Sequence, residues 1–189
     1  MQSQHSLQAP LQSVLLAKGG PRLRELMLIL GGVLLLAFAS QLTIPLRPVP
    51  ITFQSATVIL VGMAYGARLG TITLLAYLAI GALGLPVFAE ANAGMTPFFG
   101  ETAGYLIGFV PAAAVSGYLA QNGWGSTILT SFAAACVGTL IIFAFGLSVL
   151  STFIGWQQAM LYGLMPFIIT EPVKLLAASA VIPRLWKKS

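Results

Sequence analysis

The sequence predicts an all-α integral membrane protein, a bundle of six transmembrane helices, and three observations predict it. The chain is 58% hydrophobic, with a mean hydropathy of +0.93. Only 7% of its 189 residues are charged, where a soluble domain carries about 25%. Its apolar residues come in continuous runs, and at about 20 residues per crossing the length accommodates about six spans with little left over. A transmembrane barrel would need alternating polar and apolar positions, which these runs lack. The expected organisation is a polar N-terminal tail over 1–21, one membrane domain over 22–185 and a basic tail over 186–189.

The spans are expected near 24–44, 54–66, 69–85, 103–121, 127–150 and 159–183, each bounded by Pro, Gly, Asn or charge. The first follows Arg22 and Arg24. Its Ala37-Phe38-Ala39 could pass for a cleavage site, but a retained helix keeps the span number even and the charge asymmetry intact. The second is short for a full crossing. Between the second and third stands Arg68, and Leu85-Pro86 closes the third. Gly100-Glu101-Thr102 opens the fourth, and Gly138, Gly146 and Ala133-Ala134-Ala135 in the fifth suit close helix packing. The lone Cys136 reads as a small packing residue, and His5, in the polar tail, is given no role.

An even number of spans gathers Lys18, Arg22, Arg24, Arg68, Arg184, Lys187 and Lys188 on one side and leaves Arg47 on the other. The positive-inside rule then puts both termini in the cytoplasm and turns 45–53, 86–102 and 151–158 outward. The net charge of +5 reflects this topology; no basic patch interleaved with aromatics exists for a nucleic acid.

Inventory narrows the chemistry. The chain has no Asp, one Cys and one His, and Glu25 and Glu90 fall outside the spans, so an intramembrane acid dyad or a metal cluster cannot be assembled. No G-x-x-x-x-G-K-[ST] loop occurs. The expectation is therefore a non-enzyme without cofactor or metal. What stands out is Glu171 with Lys174, the charged pair placed inside a span, where a charge costs roughly 2.5–3.5 kcal/mol and usually marks a ligand or ion path. Three residues apart, they share a helix face and can neutralise each other in an empty site.

Three outward segments could complete a pocket. Ile44 to Gln54 holds three prolines and reads as a stiff lid or re-entrant loop. Leu85 to Gly100 is a long connection with aromatic and amide groups. Gly100 to Leu106 begins the fourth span and should direct free N–H groups at the pocket mouth. Phe53, Phe88, Phe98 and Tyr105 are candidate walls, although such aromatics also serve as core or interfacial belt. Asn92 suits a turn as well as a ligand contact, and Arg47 suits snorkelling as well as an anion contact.

Pro-Val-Pro-Ile-Thr-Phe-Gln at 48–54, Gly-Leu-Pro-Val-Phe at 84–88, Gly-Tyr-Leu-Ile-Gly-Phe at 104–109, Pro-Phe at 166–167 and Glu171-Pro-Val-Lys174 stand in order along the chain. In these segments it resembles the BioY family, the biotin-specific S components of energy-coupling factor (ECF) transporters, over residues 30 to 185. The resemblance implies a six-helix S-component fold in the bacterial cytoplasmic membrane that captures biotin from outside. It also implies docking onto a transmembrane coupling subunit and cytoplasmic ATPases, which alone use ATP. Asn92, Glu171 and Lys174 map onto the family's ligand residues, with Tyr105 nearby and Thr52, Gln54 and Phe88 in the segments around the pocket. The chain departs from the family pattern with Glu171 for Asp, Glu101 for Pro and Ala103 for Gly. Biotin's cyclic urea would meet Glu171 through an N–H, while Lys174 and Asn92 would donate to its oxygens. An S component for another vitamin, or a structural membrane protein, is the alternative.

Overall fold

A computed structural model describes residues 21–186. His5, Lys18, Lys187, Lys188 and most of both expected tails lie outside the described residues. Helix α1 is Pro21–Gln41; its proline sits at the start, where no intrahelical N–H bond is lost. Its exposed stripe of Leu23, Leu26, Met27, Leu30, Leu34 and Phe38 is apolar, and its buried face carries Leu28, Val33 and Leu36 between the polar Arg24 and Ser40 near its ends. A helix apolar on both faces through its middle belongs in lipid rather than at a water interface.

The stiff connection after α1 is more ordered than expected. Strand β1 (Thr43–Ile44) pairs antiparallel with β2 (Ile51–Thr52), Thr43 opposite Thr52, and the prolines lie in the loop between, where no ladder N–H is needed. A purely helical description is corrected to this extent: a two-residue hairpin crowns the bundle.

Helix α2, Gln54–Ala82, takes in the span expected over 54–66 and all but the last three residues of the one expected over 69–85. Gly66 interrupts it at φ 79°, ψ 170°, a conformation that side chains disfavour. The chain folds back there: a Cβ on Gly70 would stand 2.9 Å from the Gly62 Cα, whereas eight residues of straight helix cover about 12 Å. Gly62 is equally close to the next long helix, its Cβ position 2.5 Å from the Ala113 carbonyl oxygen. Small residues thus let three backbones touch.

A single 3₁₀ turn (Ala89–Ala91) and the short α3 (Thr96–Phe99) occupy the next connection. Helix α4, Ala103–Leu119, runs on as a wider turn through Ala120–Trp124. Helix α5, Ile128–Ile154, is entered through a capping box in which the Thr127 hydroxyl accepts from the Thr130 N–H. The sixth expected span, 159–183, is broken: α6 (Trp156–Gly163) and α7 (Phe167–Trp186) meet at 46°. Pro166 lacks the N–H needed to continue the ladder, so the chain bends at the residues before it. Among the described residues, four helices are long and apolar enough to cross a membrane, and up to five if the bent pair counts as one span.

Contacts sort the helix ends into two groups. At one end Arg68 pairs with Glu25 at 3.2 Å, the Ala67 N–H donates to Gln121 Oε1 at 3.0 Å, and Gly125 packs beneath the Trp186 ring. At the other, the Gln41 amide donates to the Phe88 carbonyl at 2.9 Å and accepts from the Ala91 N–H at 3.1 Å, fastening the 3₁₀ turn to the end of α1. The functional-looking residues collect at this second end.

Candidate ligand-binding site

Helix α7 carries Glu171 and Lys174 on one buried face, each side chain only 6% exposed. The residues leading into α2 close over them. Lys174 Nζ donates to the Thr52 carbonyl at 2.7 Å, to Ser55 Oγ at 3.2 Å and to Glu171 Oε1. The Ser55 hydroxyl in turn lies 3.0 and 3.1 Å from the two carboxylate oxygens of Glu171. All three ammonium protons are therefore engaged. The carboxylate holds lone pairs in excess of these donors, and Glu171 lines a cavity of about 200 Å³. That is below the roughly 300–1,000 Å³ of drug-sized ligand sites, a volume for a small molecule.

The cavity has a polar side made by Thr52, Gln54, Ser55 and Glu171 and an aromatic side made by Phe88, Tyr105, Phe109, Phe143 and Phe167. Several walls are fixed from behind. Tyr105 donates its hydroxyl to the Gly163 carbonyl at 3.0 Å, where α6 stops and leaves an acceptor open, and its ring meets Phe143 edge-on at 5.9 Å. Phe88 stands edge-on between Tyr77 and Phe98. Gln54 donates through Nε2 to the Tyr77 hydroxyl at 2.8 Å, and Tyr77 donates onward to the Val87 carbonyl at 2.7 Å. This relay ties the start of α2 to the connection that carries Phe88 and Asn92.

Of the seven residues expected from sequence, Thr52, Gln54, Phe88, Asn92, Tyr105 and Glu171 line this one cavity, and Lys174 stands directly behind Glu171. Asn92 is exposed and donates to the Ala89 carbonyl at 2.9 Å, so it also serves the turn. Three expectations are corrected. Phe53 is 51% exposed and outside the lining, because the hairpin turns it away. Phe98 is also outside the lining, its ring packed edge-on against Phe88 instead. The N–H groups opening α4 are not all free: Ala103, Tyr105 and Leu106 donate to Gly100 and Thr102 carbonyls in a tightened first turn. Sequence reasoning overlooked Ser55, Phe109, Ile142, Phe143 and Phe167. Ser55 had a signal in its adjacency to the Thr52–Gln54 segment, and Phe109 and Phe167 in ending the motifs at 104–109 and 166–167; Ile142 and Phe143 had none. At the mouth, Arg47 lies 3.9 Å from Glu90 and is 89% exposed.

The comparisons with known proteins fall on this same framework. The model of the BioY family matches residues 6–189. The chain belongs to the BioY family. It is 37% identical over 160 residues to the probable biotin transporter BioY of Pyrococcus horikoshii, covering 84% of this chain and 93% of that one. To the biotin transporter BioY of Thermotoga maritima it is 35% identical over 154 residues, covering 81% and 90%. The fold matches the crystal structure of the S-component for biotin from an ECF-type ABC transporter with a TM-score of 0.82 at 23% identity, over 91% of this chain and 95% of that one. This chain thus has the fold of that S-component, with the cavity described above at one end of its helix bundle.

Proposed function

We propose that this BioY chain captures biotin as the substrate-binding subunit of an ECF-type transporter for uptake across the cytoplasmic membrane. The observation that carries the reading is a buried carboxylate, Glu171, held by Lys174 and Ser55 on the polar side of a cavity whose other side is aromatic. A cyclic urea offers N–H donors to such a carboxylate, and an apolar thioether ring suits the walls formed by Phe88, Tyr105, Phe109 and Phe143. Lys174, its three protons engaged by Thr52, Ser55 and Glu171, acts as a positioning residue that holds the Glu171 side chain in place. Asn92 contributes a donor at the opening.

The fold-back at Gly66 and the bent α6–α7 pair support six crossings. The grouping of Glu25, Arg68, Gln121 and Trp186 at the end rich in arginine supports cytoplasmic termini by the positive-inside rule. The cavity then opens outward, and partner subunits, a transmembrane coupling protein and ATPases, engage from the membrane and the cytoplasm. The test is calorimetric titration of the purified full chain with biotin, thiamine and riboflavin. Saturable heat with biotin alone, abolished in Glu171→Ala, is the expected result; equal binding of thiamine or riboflavin would overturn the assignment.

A further inference from the structure

Three carboxylates stand on the wall or mouth of the cavity: Glu90, Glu101 and Glu171. Two are matched by cations, Glu90 by Arg47 at 3.9 Å and Glu171 by Lys174. Glu101 is different. It is partly buried in the turn that leads into α4, it lines the cavity, and its side chain has no hydrogen bond or ion pair among the described residues. The ionic groups in and directly behind the cavity are therefore three carboxylates against two cations. Inside a partly enclosed site the local dielectric is below that of water, which strengthens both the repulsion of an added anion and the attraction of an added cation.

Free biotin ends in a carboxylate. With the urea at Glu171, its chain leaves toward the connections that form the opening, and Glu101 belongs to that set. A carboxylate brought beside an unmatched carboxylate is opposed, whereas an amide N–H or an ammonium would supply the donor that Glu101 lacks. We infer that, resting on the biotin reading above, this cavity favours biotin carried as an amide with a zwitterionic tail, the ε-lysyl amide biocytin, over the free acid. Biocytin replaces the carboxylate with an amide and ends, beyond a flexible methylene chain, in an α-ammonium beside an α-carboxylate. The reaction class that supplies it is peptide-bond hydrolysis of proteins that carry biotin on lysine.

The experiment titrates the full chain in lipid nanodiscs with biotin, biocytin and biotin methyl ester, in the wild type and in Glu101→Gln. In the wild type, biocytin binds about ten-fold more tightly than biotin, the scale of one charge-assisted hydrogen bond, and the neutral ester falls between. In Glu101→Gln, biotin strengthens, biocytin weakens, and the two come within about three-fold of each other. Biotin binding as tightly as biocytin in the wild type, or a ratio unchanged by Glu101→Gln, overturns the inference while leaving the biotin reading intact. Failure of all three compounds to bind overturns both.

Discussion

Replacing Lys174 with Met would strand a carboxylate. Glu171 would remain 6% exposed with only the Ser55 hydroxyl beside it, and the Thr52 carbonyl would lose its 2.7 Å donor. Breaking a buried pair from one side costs about 3–5 kcal/mol, because the surviving charge has no compensation. Glu171→Leu strands the ammonium and should cost a similar amount. The double variant Glu171→Leu/Lys174→Met removes both charges and refills the space with apolar groups, so its stability should lie within about 2 kcal/mol of the wild type, where additivity would demand a loss of about 6–10 kcal/mol. Unfolding in mixed detergent, followed through the tryptophans, measures all four proteins. Biotin binding should be lost in both variants that lack Glu171, including the one whose stability recovers. A double variant as unstable as the sum of the single changes would refute the ion-pair argument, and a stable double variant that still binds would refute the role of Glu171.

Tyr77→Phe removes the hydroxyl that joins Gln54 to the Val87 carbonyl; Ser40 Oγ still reaches that carbonyl at 2.7 Å, but the buried Gln54 amide is left without its acceptor. It should cost about 1–3 kcal/mol and raise amide exchange through residues 87–92, measured by hydrogen exchange mass spectrometry. Gly66→Ala forces a Cβ into φ 79° at the helix break and should lose about 1–3 kcal/mol in the same unfolding assay. Arg47→Ala opens an ion pair that is largely in solvent, so biotin affinity by calorimetry should change less than about five-fold.

The charged pair and the chain reversal were legible in the sequence for definite reasons. Glu171 and Lys174 interrupt an apolar run at a spacing that a helix converts into one face. The break between the second and third expected spans falls at Gly66, the residue before Ala67-Arg68, and glycine there is a conformational necessity. The bend at Leu164–Pro166 was missed because a proline within an apolar stretch can be accommodated by a kink as readily as by a loop. Ile142 and Phe143 were illegible as walls, since they stand in a run of apolar residues where periodicity carries no contrast, while Phe109 and Phe167 were visible only as members of motifs and not as walls. The pairing of Thr43 with Thr52 depends on the loop returning the chain to the end of α1, which local propensity does not encode. Ser55 gains its importance only from what α7 places beside it.

Glu101 shows the same division from the other side. Its position near the entrance followed from its place before the fourth span, but only the assembled cavity shows that both available cations are already matched elsewhere.

The most direct measurement is a crystal structure of the full chain grown with biotin. The account predicts the urea ring inside the cavity, with a ureido nitrogen about 2.7–3.2 Å from a Glu171 carboxylate oxygen and the ring between Phe88, Tyr105 and Phe143. Biotin bound elsewhere on the chain, or seated in the cavity with its urea turned away from Glu171, would contradict it.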